Sequence, residues 1–373
     1  MIKIVEVLTK KEQRRFMKFP LKLYKGCPYY VPTLYMDEKK IFRADYVYNE
    51  TCDVVFYNAY KDQKMVGRIS GIIQHSSNDK WDQSRIRFTR FDCINDQEVA
   101  NALFDAVIAF AKKNNIKEIV GPLGYSDLER EGLLIEGFEE LGTYEEQYNY
   151  DYYQTLIENY GFEKEVDWVE YKMYLPEKLD ERLMKLSDMM LKKYNLHVWS
   201  PKSVNSFIKN NIDEFFEIID DTYDHIYGTV PFTDKMKKVM ISNFKLLVRP
   251  RDIGIISDEN GKMVGFALMF ASISDAVRKS KGYLTLPFLL RFLKSVNHPK
   301  VFDFGLIGVR KEYESKGVIT AIIARVQREF MKIGIDHVET NLMLEDNYHI
   351  RNLTKSWNCV QNKKRRCFIK QIN

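Results

Sequence analysis

Hydrophobic and polar positions along the chain switch between a two-residue and a 3.6-residue period, and they do so twice in the same order. "VVFYNAYKDQKMVGRISGII" reads as an alternating strand, a charged turn and a returning strand. "IGIISDENGKMVGFALMF" repeats that pattern, with Asn260 and Gly261 supplying the residues a tight hairpin favours. The returning strand opens on Lys-Met-Val-Gly in both places, at Lys64–Gly67 and at Lys262–Gly265. A further strand follows each hairpin, "RIRFTRFDC" and "VFDFGLIGV". Helices come next, with apolar faces carrying Val99, Leu103, Val107 and Phe110 in the first and Ile322, Val326 and Phe330 in the second. "IKEIVG" and "IDHVETNLML" then read as strands, "YYQTLIENYGF" and "HIRNLTKSWNC" as short helices, and "DWVEYKMYL" and "KKRRCFIKQI" as closing strands. Agreement in the order and type of elements predicts two copies of one mixed α/β unit, which four shared letters alone do not.

Pro176 ends the first closing strand. The pattern beyond it predicts a charged amphipathic helix from Asp180 to Tyr194, a short strand in "NLHVWSP" and a helix over Val204–Thr222. The expected domains are therefore 1–176 and 177–373. Each copy also carries an insertion. In the first, "GPLGYSDLEREGLLIEGFEELGTYEEQYNYDYY" fits either the wall of a binding site or a long surface loop with turn glycines. In the second, "YLTLPFLLRFLKSV" fits a cover on a binding cleft, a lid, a membrane-surface contact or a core-packed helix.

Composition narrows the class. At 373 residues the chain exceeds one ordinary core, and 45% hydrophobic with 29% charged residues is the balance of a soluble globular protein. No apolar run reaches the length of a membrane span, and "MIKIVEVLTKKEQRRF" turns charged too early for a secretory segment. Five cysteines without CxxC spacing and six histidines without a cluster argue against a metal site and a disulfide framework, so the expected location is cytoplasmic. A net charge of +5 favours a phosphate-bearing ligand but is too small to imply nucleic acid, and "NKKRRCFIK" lacks interleaved aromatics.

The stretch that carries chemistry is "FGLIGVRKEYESKGVITAII". A strand ends at Val309, a polar loop follows, and a helix starts directly after Gly317. Such a loop aims unpaired amides and the positive end of a helix dipole at whatever lies beyond it, which suits a pyrophosphate. Arg310 and Lys316 add positive charge to that expectation. An ordinary strand-to-helix turn closed by a glycine has the same spacing, and the loop alone does not separate the two.

In its wider setting this run resembles the GNAT acyl-CoA N-acyltransferases, whose fourth strand leads into V-x-x-x-[QR]-x-x-G-x-[GA]. Here Val309 is followed by Glu314, Ser315, Lys316, Gly317, Val318 and Ile319. The chain as a whole is similar to bacterial double-domain proteins of that family. The resemblance implies two tandem GNAT-like domains, each a mixed, mostly antiparallel sheet flanked by helices. It implies that acetyl-CoA or another acyl-CoA is held in the second, its pantetheine along the backbone of Ile307, Gly308 and Val309. Its pyrophosphate would lie on the amides of Ser315, Lys316, Gly317 and Val318, with Asn347 near the pantetheine. Glu314 stands where the family has Gln or Arg, Ile319 where it has a small residue, and Thr354 where it often has a Tyr general acid. Candidates to take the acceptor's proton are Glu339, Glu345 and Tyr223, and Thr354 faces the departing thiolate in that reading. Asp220, His225 and Tyr227 share the Tyr223 stretch. The implied reaction is acyl transfer to the amine of a small-molecule or peptide acceptor; a non-catalytic acyl-CoA or small-molecule binding protein is the alternative. A homodimer is left open, with no nucleic acid and no integral membrane segment expected.

An ungapped alignment sets Glu98 against Gly317 and Asp96 against Ser315, so the first copy has acids where a polyphosphate would sit. The first copy is thus expected to be a degenerate partner, with Asn95 or Asp96 capping its helix.

Overall fold

The computed structural model describes residues 1–346 and 357–372. In chain order the first elements are β1 (Ile2–Glu6), α1 (Lys10–Leu23), α2 (Tyr35–Lys40), β2 (Cys52–Lys61), β3 (Lys64–Gln74), α3 (His75–Trp81) and β4 (Arg85–Cys93). They are followed by α4 (Gln97–Lys113), β5 (Glu118–Gly121), β6 (Leu133–Glu136), α5 (Tyr152–Asn159), β7 (Glu163–Tyr174) and α6 (Glu181–Lys193). Next come β8 (His197–Trp199), α7 (Val204–Tyr223), α8 (Asp234–Leu247), β9 (Ile253–Ser257), β10 (Met263–Ala271), α9 (Ser274–Ser280) and α10 (Leu286–Asn297). The last are β11 (Val301–Val309), α11 (Val318–Ile333), β12 (His337–Glu339), β13 (Met343–Leu344) and β14 (Asn358–Gln371). The chain forms two compact units, Met1–Val169 with Ser274–Leu289 and Asn362–Asn373, and Glu170–Ile273 with Leu290–Gln361.

In the first unit β1 to β4 are consecutive antiparallel neighbours, and β4 joins β5 in parallel. The hairpin between β2 and β3 turns through Asp62 and Gln63, both with positive φ, the geometry that matches strand twist. Beneath the sheet, α4 buries Val99, Leu103, Phe104 and Val107 against Ile69, Ile86 and Phe88 of the strands. Each such side chain contributes about 1.5–3 kcal/mol on removal from water. The terminal strand β14, placed by element order in the second repeat, contributes Asn362 onward to this unit, pairing with β5 and β6. Its side chains explain the placement: Phe368 joins the core around α4, and the Arg366 guanidinium is bidentate on the Asp167 carboxylate at 2.8 and 3.0 Å. The first insertion is no loose loop, since it contains β6 and the buried Tyr125, Leu133 and Leu134.

The second unit repeats the layering. β8, β9, β10 and β11 are antiparallel neighbours, β11 joins β12 in parallel, and β12 pairs with Met173 and Lys172 of β7. One face is covered by α11 through Ala321, Ile322, Val326 and Phe330. The other is covered by α7 and α8 through Phe215, Phe216, Ile219 and Phe244, packed on Ile255, Phe266 and Leu268. The repeated glycines now have a physical reason. A Cβ at Gly67 would lie 2.8 Å from the Leu103 side chain of α4, and one at Gly265 would lie 2.7 Å from the Val318 side chain of α11. In both units that position lets the following helix lie close on the sheet.

Candidate functional site

The two units can be put in register through those glycines, because Gly67 is the cross-strand partner of Cys93 and Gly265 of Val309. The next residue along, Ile94 or Arg310, donates its amide to the facing strand. Alternation then turns the N–H and C=O of Cys93 and of Val309 away from that strand. In each unit the outward edge opens, because the parallel partner stops early. β12 accompanies β11 only from Val301 to Asp303, and β5 accompanies β4 only from Arg85 to Arg87.

What fills the opened edge differs between the units. On β11 the Tyr223 hydroxyl donates to the Ile307 carbonyl at 3.0 Å and accepts from the Ile307 amide at 3.3 Å. A single side chain from the C-terminal end of α7 thus satisfies both groups that a neighbouring strand would otherwise bind. The Thr222 hydroxyl reaches the Val309 carbonyl at 3.5 Å, and the Asn341 amide reaches the Gly305 carbonyl at 3.4 Å. On β4 the outward groups of Cys93, the counterpart of Val309, are taken by α5: Tyr152 donates to its carbonyl at 2.7 Å and Tyr153 accepts from its amide at 3.1 Å. Tyr153 is itself bonded to Tyr24, which donates to Asp92, and Asp92 pairs with Arg68 at 2.7 Å. Arg68 and Arg90 share Glu38, so this network carries buried charges with partners on every side. Burial opposes ionisation of Glu38, yet the two guanidiniums hold its carboxyl below the usual range.

The loops beyond the strands differ in length and in their caps. From Cys93 to the N-cap of α4 is three residues, and that N-cap is Asp96, whose carboxylate accepts from the Glu98 amide at 3.0 Å. The Lys61 ammonium, 2.7 Å from Asp96, holds that carboxyl below its ordinary range. From Val309 to the N-cap of α11 is eight residues, folded as a 3-10 turn over Lys311–Lys316, and that N-cap is Gly317 with no side-chain cap bond. Asp96 and Gly317 are therefore counterparts, which corrects the ungapped alignment. A carboxylate already occupies the dipole end of α4, whereas the first-turn amides of α11 receive no side-chain cap.

Individual residues fall as follows. Ile307 is half-buried, and Gly308 and Val309 are buried, on the opened strand. Ser315 is exposed on the turn, and the Lys316 ammonium sits 4.0 Å from the centre of the Tyr313 ring. Gly317 has φ +75°, and a Cβ there would be 2.6 Å from Met190 of α6, so its glycine serves helix packing as well as any ligand approach. Val318, the first residue of α11, is buried against the sheet at Gly265. Arg310 does not supply the surface charge expected of it. It is buried, its Nε donates to the Met263 carbonyl at 2.8 Å, and its other arm pairs with Glu217 at 2.8 Å. Glu339 ends β12 beside Asp303 of β11, buried, with Lys172 at 3.8 Å and His337 at 3.3 Å. Glu345 is half-buried just after β13. Asn347 and Thr354 lie outside the described residues. Thr222, Met190 and Lys172 escaped the sequence reading, because their roles depend on helices and strands distant in the chain.

No protein-family model matches the chain. Among curated proteins it is 27% identical over 377 residues to Protein YghO of Escherichia coli K12, covering 98% of this chain and 94% of that one. It is 23% identical to the Bacterial ceramide synthase of Caulobacter vibrioides, covering 95% of this chain and 94% of that one. Among solved structures, a tandem GNAT protein from the clavulanic acid biosynthesis pathway superposes with a TM-score of 0.56 at 10% identity, over 100% of this chain and 99% of that one. Two α/β units of like element order, each with a fourth strand opening away from the fifth, and that superposition over the full length make the chain a tandem GNAT-fold protein.

Proposed function

We propose that the chain is an acyltransferase that moves an acyl group from acyl-CoA to an amine, using the unit that contains β11 and α11. The observation that carries the reading is the opened β11 edge leading to a helix whose first amides have no side-chain cap. In this reading the pantetheine lies along Ile307–Val309 and the pyrophosphate on the amides after Lys316, with the Lys316 ammonium adding charge. The Tyr223 hydroxyl sits where a pantetheine amide would bind and swings aside as the cofactor enters. Acetyl-CoA or another acyl-CoA is a co-substrate. The acceptor nitrogen attacks the thioester carbonyl, the C–S bond breaks, and an amide and CoA thiol result. The proton lost by the amine passes to Glu339, Glu345, Tyr223 or a water they hold, and Thr354 remains a candidate at the thiolate. The name of the Caulobacter relative supports a long-chain amino alcohol among the acceptors, since a ceramide is the N-acyl product of one.

The binding-protein reading is favoured by Glu314, Ile319 and the closure of Ile307 by Tyr223. Thiol release separates the two. Acetyl-CoA and palmitoyl-CoA are each incubated with a panel of short amines, peptides and a long-chain amino alcohol. Amine-dependent release of free CoA is the expected result. Saturable acyl-CoA binding with no release across the panel supports the binding protein and contradicts the transferase.

A further inference from the structure

The insertion before β11 carries an exposed apolar surface outside the residues assigned to the proposed acyl-CoA site. Its helix α10 is apolar on two sides. Phe288 and Val296 are buried on one. On the other, Leu286, Leu289, Leu290 and Leu293 follow i, i+3, i+4, i+7 spacing and are 70%, 48%, 63% and 41% exposed, with Leu284 at 58% just before them. The helix is held at both ends, so the stripe is a built feature. The Thr285 hydroxyl accepts from the Phe288 amide at 3.3 Å, and the Arg251 guanidinium donates to the Val296 carbonyl at 2.8 Å. Upstream, the Tyr35 amide donates to the Gly282 carbonyl at 2.8 Å, and Tyr35 and Tyr283 stack at 5.2 Å.

Charge selects the occupant. Lys281, Arg291, Lys294 and Lys300 are exposed, and no acidic residue occurs between Asp275 and Asp303. On a helical wheel Lys294 borders the leucine stripe, with Arg291 beyond it. A second copy docking by two-fold symmetry would bring this basic border against its own copy, which repels. Side chains this exposed do not form the wall of a closed acyl tunnel. Apolar residues bordered by cations match the interface of an anionic lipid bilayer, where leucines enter the acyl boundary and cations meet lipid phosphates.

We propose that the leucine face of α10 and its basic border dock the protein on an anionic phospholipid surface. This does not depend on the acyl-transfer reading. The test is co-sedimentation of the full chain with vesicles of phosphatidylcholine, alone or equimolar with phosphatidylglycerol. Wild type is expected to partition onto the anionic vesicles and only weakly onto the neutral ones. Leu290→Ser with Leu293→Ser is expected to lower partitioning about ten-fold or more, and Arg291→Glu with Lys294→Glu to remove the anionic preference. Circular dichroism and thermal melting guard against misfolding. A second, apolar variant, Leu290→Trp, is expected to gain blue-shifted emission on anionic vesicles. Wild type left in the supernatant, or sedimenting equally after the leucine changes, overturns the proposal. So does a wild-type dimer that the leucine changes convert to monomer while vesicles bind neither, which would assign the face to a second copy.

Discussion

At Gly317 the backbone takes φ +75°, Met190 closes on the missing Cβ, and the helix begins without a side-chain cap. At its counterpart Asp96, a carboxylate fills the same place. The strand end at Val309 and the helix starting after Gly317 were legible in the sequence, but the loop spacing fits an ordinary glycine-closed turn equally well. Tyr223 was legible only as one polar residue among several in "DDTYDHIYGTVPFTD". Its hold on Ile307 arises from the packing of α7 across β11, a contact between residues 84 apart. Arg310 was misjudged for the same reason, since its acceptors Met263 and Glu217 lie far back in the chain. The Tyr223 geometry makes a prediction at this scale. Tyr223→Phe frees both Ile307 groups, and a net hydrogen bond of about 1 kcal/mol corresponds to acyl-CoA binding about five-fold tighter. Titration calorimetry reads it. Weaker binding by the variant would mean that the hydroxyl contacts the cofactor rather than vacating its place.

Among elements, the described strands and helices fall close to where hydrophobic periodicity puts them, while most of the helix expected in "HIRNLTKSWNC" lies outside the described residues. β11 is Val301–Val309, α11 is Val318–Ile333, and α6 lies within Asp180–Tyr194. Periodicity reports which face of an element is buried, which is why these positions were readable. It does not report which sheet a strand joins, and β14 shows the difference. Its pairing is fixed by Phe368 in the core and by Arg366 on Asp167, a residue 199 positions earlier. That ion pair gives a pH prediction. Burial raises the Asp167 carboxyl, but Arg366, Lys164 and Lys364 outweigh it and hold it at about 2, below the ordinary 3.8. A depressed carboxyl stabilises the fold above its unfolded value and loses that contribution as pH falls through the folded value. Stability is therefore expected to drop by about 2 kcal/mol from about pH 5 to pH 2 through this group. Urea denaturation across that window measures it, and Asp167→Asn should be less stable near neutrality and flatten the slope. An unchanged slope in the variant would assign the acid sensitivity to other carboxylates.

For the whole molecule, the same fold recurs with its opened strand edge filled differently in each unit. In the first, Tyr152 and Tyr153 close Cys93, and a carboxylate occupies the helix end. In the second, a hydroxyl spans Ile307 ahead of an eight-residue loop and an uncapped helix. The repeat was legible because like elements follow in like order. The extent of the division was not, since a tyrosine that closes a strand edge reads in sequence like any core aromatic. The account expects one acyl-CoA per chain. Calorimetric titration of the intact protein with acetyl-CoA and palmitoyl-CoA tests this most directly, comparing wild type with Lys316→Glu in one unit and Lys61→Glu in the other. The predicted result is a single site, weakened about ten-fold or more by Lys316→Glu and unchanged by Lys61→Glu. Absence of binding by either ligand, two sites per chain, or a loss caused by Lys61→Glu and not by Lys316→Glu would contradict it.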